Sequence, residues 1–100
     1  MLRVFISHPM NGKTDKEIEE ERLSIVSKIS ETVDEPFEVI DSFFKSAPHD
    51  AKPLWFLGKS IELLSTADLA YFAKGWETAR GCIIEHSCAV AYMVETIIGE

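Results

Sequence analysis

Apolar and polar positions follow two periods along this chain. "LRVFIS" (2–7) is a short β-branched and aromatic run that stops at His8-Pro9 and Asn11-Gly12. It predicts a buried strand followed by a loop. Ile18, Ile25, Val26, Ile29 and Val33 then recur at helical spacing. "TDKE" just before them has the capping-box form, with Thr14 as N-cap and Glu17 three residues on. Helix 1 is therefore expected to run to about Val33. "FEVID" (37–41) predicts a second strand after Pro36, and "SFFKSAPHDAK" (42–52) a loop with two adjacent phenylalanines. Pro53 suits the first turn of a helix, and Leu54, Leu57, Ile61 and Leu64 give helix 2 its stripe. "ADLAYFA" (67–73) is a third strand and "KGWETARG" (74–81) a Gly-bounded loop. Helix 3 is expected from about Ala79 to Met93 or Val94, and Thr96 to Ile98 form a final strand.

This β-α-β-α-β-α-β order predicts an α/β fold: a parallel sheet with helices on both faces and right-handed crossovers. Ligands of such sheets sit outside the carboxyl ends of the strands, at a switch point. That rule selects "SHPMNGKT" after strand 1, "DSFFKSAP" after strand 2 and "KGWETARG" after strand 3.

On a helical wheel, Gly81, Cys82, Glu85, Cys88, Ala89 and Tyr92 share one side of helix 3. Ile83, Val90 and Val94 share another, and Ile84 and Ala91 a third. No continuous polar face remains, so the helix is expected to be buried on more than one side. In so small a domain the natural cover is a second copy, and a homo-oligomer (a dimer or larger) built partly on helix 3 is expected. Glu85 then sits among small residues near the helix start. The helix dipole favours its ionised form, by roughly 0.3–1 kcal/mol in exposed cases, and burial opposes it. A part-buried carboxylate so placed suits a nucleophile. The alternative is an ion pair with Arg80 or a cap on a backbone amide.

One domain, residues 1–100, is the expectation for a 100-residue chain that is 46% apolar. A net charge of −7 argues against a polymeric nucleic-acid partner but leaves room for a single nucleoside or nucleotide. The acidic run "DKEIEEE" (15–21) reads as a solvated helix face. No apolar run reaches the roughly 18 residues of a membrane span, and "MLRVFISHP" does not fit a signal peptide. A cytoplasmic protein with no membrane partner is expected. Cys82 and Cys88, six apart, point about 120° from each other on a helix and make poor disulfide partners. Cys82 and His86 have ligand spacing but no second pair, so neither a metal nor another cofactor is expected.

Other polar and aromatic candidates carry two readings each. Asp68, Asp41 and Asp50 are turn residues or site carboxylates. Trp76, Phe43 and Phe44 are loop anchors or flat walls for a base or sugar ring. Lys13, just before helix 1, has the place of an anion ligand, although the phosphate-loop frame of Gly-x-x-x-x-Gly-Lys-Ser/Thr is absent.

"VFISHPMNG" together with "STADLAYFAKGWETARGCIIEHSCAVAY" resembles the nucleoside 2-deoxyribosyltransferase superfamily, and within it the small bacterial and phage members. In that superfamily the first strand runs into an Ile-Ser-Gly-Pro-Met-like turn, and a later segment reads Ala-Asp, an apolar strand, Gly-Trp, Ser-x-Gly-Cys and a glutamate on the following helix. The resemblance implies a flavodoxin-like or Rossmann-like three-layer sandwich with a four- or five-stranded parallel sheet. It implies cleavage or transfer at the N-glycosidic bond of 2'-deoxynucleosides or their 5'-monophosphates. Glu85 matches the nucleophile, which forms a covalent deoxyribosyl-enzyme by the logic of retaining glycosidases. Asp68 matches a carboxylate that helps protonate or orient the leaving base. Together with the loop reading, the candidate substrate-binding set comprises Ser7, His8, Pro9 and Met10 of the first loop, Asp41, Phe43 and Phe44 of the second, and Trp76, Thr78, Arg80 and Gly81 of the third. The resemblance also implies dimers or larger assemblies with sites near the subunit interface.

Three positions depart from the pattern. Phe5 stands where a tyrosine hydroxyl positions the catalytic carboxylate, and its loss implies slower chemistry or none. His8 replaces the turn glycine, which implies a narrower pocket mouth or a new contact. Ala79 replaces the serine that contacts a 5'-phosphate, leaving Thr78 or Arg80 as substitutes. Three function classes follow: an N-glycosidase or deoxyribosyltransferase, a catalytically weak or inactive nucleoside- or nucleotide-binding module, and an interaction domain whose apolar helices serve assembly.

Overall fold

The computed structural model describes residues 1–44 and 47–99 of the chain. Lys45 and Ser46 of the second loop, and the terminal Glu100, lie outside the described residues. The described residues form strands β1 (Leu2–Ser7), β2 (Phe37–Val39), β3 (Leu69–Phe72) and β4 (Glu95–Ile98). Between them lie helices α1 (Asp15–Thr32), α2 (Pro53–Leu64) and α3 (Arg80–Ala91), with a 3-10 turn over Trp76–Thr78. The four strands pair in the order β2-β1-β3-β4, all parallel. The fold is thus α/β, with the strand order of a flavodoxin-like sheet.

Strand alternation sorts the core into two layers. Val4 and Ile6 of β1, with Leu69 and Tyr71 of β3, pack against Ile25 and Ile29 of α1. Phe5, Ala70 and Phe72 point the other way, onto Leu64 of α2 and Ala89 of α3. One face of the sheet therefore carries α1 and the other carries α2 and α3, which makes three layers.

The element ends follow local chemistry. Thr14 caps α1, with the full capping box: Glu17 N–H donates to Thr14 Oγ1 at 3.2 Å, and Thr14 N–H to Glu17 Oε1 at 3.1 Å. Pro53 opens α2, where a missing N–H costs nothing. Helix α3 is shorter than its apolar pattern predicts. Met93 takes a left-handed φ of 59°, and the N–H groups of Met93 and Val94 bond back to Val90 and Ala89 carbonyls at 3.2 and 2.9 Å. This is a Schellman stop. It turns Tyr92 out into solvent, so Tyr92 does not share the buried side of α3 with Cys82, Glu85 and Ala89. Among the described residues, no helix is long and apolar enough to cross a membrane.

Candidate functional site

The chain runs from β1 out to β2 and returns across β1 to β3. The switch point therefore lies between the carboxyl ends of β1 and β3, where the loops that follow them diverge. Ser7 is the last residue of β1, and Phe72, its register partner, the last of β3. Ser7 lies on the same face as Phe5, turned toward the α3 layer. There its hydroxyl donates to Glu85 Oε1 at 2.6 Å, and both residues are buried. Fold topology and side-chain chemistry thus converge on one carboxyl group.

The electrostatics of Glu85 differ from the expectation. It lies beyond the first turn of α3, past the reach of the helix dipole. Among the described residues no cation pairs with it, Arg80 included. Burial pushes its carboxyl above the ordinary range, and hydrogen bonds from Ser7 and from Ser60 of α2 pull it partway back. The Cys82 thiol is pushed up by burial and by the Glu85 charge, while a hydrogen bond with Ser7 lowers it. Ser7 is thus the common neighbour of Glu85 and Cys82. Both cysteines are free.

Ser60 was not foreseeable as a site residue. In "GKSIELL" it reads as one polar position on an amphipathic helix, and only the packing of α2 on α3 brings it to Glu85.

Several expected site residues are placed elsewhere. Asp68 lies at the amino end of β3, where its Oδ2 accepts from Arg3 N–H at 2.9 Å. The length of β3, about 13 Å at 3.3 Å per residue, separates that edge from the end where Ser7 and Phe72 meet. Asp68 fastens the amino edge of the sheet, at the opposite end of β3 from Ser7. His8 follows Ser7 but belongs to the α1 side, as strand alternation demands. Its side chain is fully buried, so it forms no pocket mouth. Nδ1 lies 3.4 Å from Glu21 Oε2, which Lys13 Nζ also meets at 2.9 Å. Nε2 is buried without a partner among the described residues. Burial and the nearby Arg22 charge depress the His8 pKa, against the pull of Glu21.

Trp76 stacks on His86, with ring centroids 4.3 Å apart and planes at 27°, and meets Phe72 edge-on. One ring face is therefore covered by the chain's own imidazole, and Trp76 acts as an anchor. Gly75 before it has φ +91°, a left-handed turn that favours glycine, and a Cβ added there would point at Pro9 of the first loop. Pro9 and Met10 are half-buried in the first loop beside that approach. Thr78 and Arg80 are exposed, Gly81 half-buried, and Ala79 supplies no side-chain cap to α3.

Asp41, Phe43 and Phe44 line a cleft of about 820 Å³ together with Arg22, Leu23 and Val26 of α1 and Trp55 of α2. Phe44 and Trp55 meet edge-to-face at 5.9 Å. Arg22 donates to the Ile40 carbonyl and to Ser42 Oγ, both at 3.3 Å, which ties α1 to the end of β2. Neither Ser7 nor Glu85 lines this cleft. Helix α2 connects the two places: Trp55 and Ser60 are five residues apart, about 7.5 Å along its axis. Among the described residues, no group of His, Cys, Asp and Glu could hold a metal.

No protein-family model matches the chain, and no curated protein does.

Proposed function

We propose that this protein cleaves or transfers the N-glycosidic bond of a 2'-deoxynucleoside or deoxynucleotide, with Glu85 as nucleophile. The observation that carries the reading is the buried Ser7–Glu85 pair at the β1/β3 switch point. A carboxyl group in that position is removed from bulk water, held by hydroxyls and, among the described residues, without a counter-cation. Those features suit attack on an electron-poor anomeric carbon. The bond forms between a Glu85 oxygen and that carbon as the C–N bond breaks. The electron pair leaves with the base, which takes a proton from water. Water or a second base then displaces the carboxylate.

The aromatic cleft of Phe43, Phe44 and Trp55 supplies the flat, apolar walls that a base requires. The reading gives each chain one small-molecule site and a second copy of itself as partner, in keeping with the uncharged outer face of α3.

A second reading, a nucleoside- or nucleotide-binding module with weak or no turnover, is favoured by the position of Asp68. That carboxylate lies at the far end of β3 from Glu85, away from where a leaving base would need an acid. One experiment separates the two. The protein is incubated with a panel of deoxynucleosides and deoxynucleotides, and free base is followed by chromatography. Glycosidic chemistry gives base release that falls at least ~10³-fold in Glu85→Ala. Release that survives the substitution rejects the nucleophile. Thermal stabilisation by a ligand without release selects the binding module.

A further inference from the structure

We propose that Ser7 is the positioning residue of this site: its hydroxyl, donated to Glu85 Oε1, fixes the carboxyl so that Oε2 faces the substrate. The inference rests on the glycosidic reading for its chemistry, but its geometry stands on the fold alone. Ser7 ends the central strand and is 2% exposed, on the face it shares with Phe5 and Phe72. A hydroxyl in such surroundings is costly unless it is bonded. It is bonded at 2.6 Å, the short distance of an O–H donor to an ionised oxygen.

A hydroxyl has one proton to give and two lone pairs to receive. Giving that proton to Oε1 commits it, so the hydroxyl holds one oxygen of the carboxyl and leaves the other free. Each partner comes from a rigid element, β1 or α3, so the carboxyl plane is set by the packing of helix on sheet. The charged and titratable groups that face Glu85 are few. Cys82 comes from its own helix, Ser7 and Ser60 offer hydroxyls from β1 and α2, and among the described residues no cation pairs with Glu85. Ser7 therefore has no substitute on the strand side.

The role continues through the proposed reaction. Once Oε2 carries the sugar, Oε1 is the ester carbonyl, and the same hydroxyl donates to it. When the ester breaks, negative charge returns to an oxygen that is already bonded, so the second displacement is assisted as well.

The test uses Ser7→Ala and Ser7→Thr in the full chain, with two readouts. The first is the Glu85 carboxyl titration followed by carbon-13 NMR, with Glu85→Gln to assign the signal. It requires no activity. Ser7→Ala is expected to raise the midpoint and Ser7→Thr to restore it toward the parent. The second is steady-state base release. Ser7→Ala is expected to lower kcat roughly 10- to 100-fold, the effect of losing one hydrogen bond to a charged group, with KM little changed. An unchanged midpoint in Ser7→Ala overturns the proposal, and so does an unchanged kcat. If the parent releases no base, the glycosidic reading fails while the titration still decides the role of Ser7.

Discussion

At the scale of single residues, the decisive contest is between desolvation and hydrogen bonding at Glu85. Desolvation wins: the carboxyl's proton affinity lies above the ordinary value despite the Ser7 and Ser60 hydroxyls. A raised carboxyl pKa in the folded state means that the folded protein binds more protons than the unfolded chain between the two values. Stability is then fully present below the unfolded pKa near 4.5 and is lost as pH rises toward the folded value. Glu85→Gln removes this cost while keeping an acceptor for Ser7. The variant is expected to be more stable than the parent at pH 7–8 in urea melts, with a gain that shrinks as pH falls toward 4.5. A gain that is equal at every pH would assign the effect to packing rather than to charge. Such a gain, paired with lost chemistry, is the trade-off expected of a site group. His8 works in the opposite sense. Its depressed pKa gives stability that is present above the ordinary histidine value and is lost as pH falls through it.

At the scale of elements, the helix stops and caps explain what was legible in the chain and what was not. Thr14, Glu17, Pro53 and the period of β1 act through neighbours in sequence, so the corresponding starts stand where the pattern put them. The end of α3 was hidden because its apolar run continues past Ala91. A methionine marks the left-handed stop, where glycine would have signalled it. The site divides along the same line. Glu85 stands out in the sequence as a carboxylate in an apolar helix, and topology selects the loop that Ser7 opens. Ser60 and the orphaned His8 Nε2 do not stand out, because each depends on which helix crosses which strand end. Asp68 was misplaced because a strand has two ends, and composition does not say which one faces a ligand. The Met93 stop carries its own prediction. A non-glycine residue pays roughly 1–2 kcal/mol in the left-handed region. Met93 is 90% exposed and gives up little packing. Met93→Gly is therefore expected to stabilise the fold by about 1 kcal/mol, a rise in Tm of roughly 4 °C or more in a thermal melt. An unchanged or lower Tm would show that Met93 makes contacts in the assembled protein that outweigh the strain.

At the scale of the molecule, the open question is what covers the outer face of α3. Beyond Arg80 that face carries Ile83, Ile84, Ser87, Val90 and Ala91 and no charge, in a chain of net charge −7. Ile83, Ile84 and Val90 are 43%, 42% and 57% exposed, a cluster of branched apolar side chains on one helix face. The small residues Ser87 and Ala91 lie between the branched ones, so a second α3 could approach closely. A two-fold axis would then place like against like. The same helix carries Glu85 on its inner side, so dimerisation would clamp the helix that holds the site. We therefore expect a mass twice the 11.3 kDa of the chain by light scattering at micromolar concentration. In Val90→Glu the fold is retained, because the position is solvent-facing in one chain, but the dimer buries two unpaired carboxylates and its Kd rises at least ~10²-fold. A parent protein that is monomeric at micromolar concentration would rule out the second copy as the cover for this face. A Val90→Glu variant that stays dimeric would move the interface elsewhere on the surface.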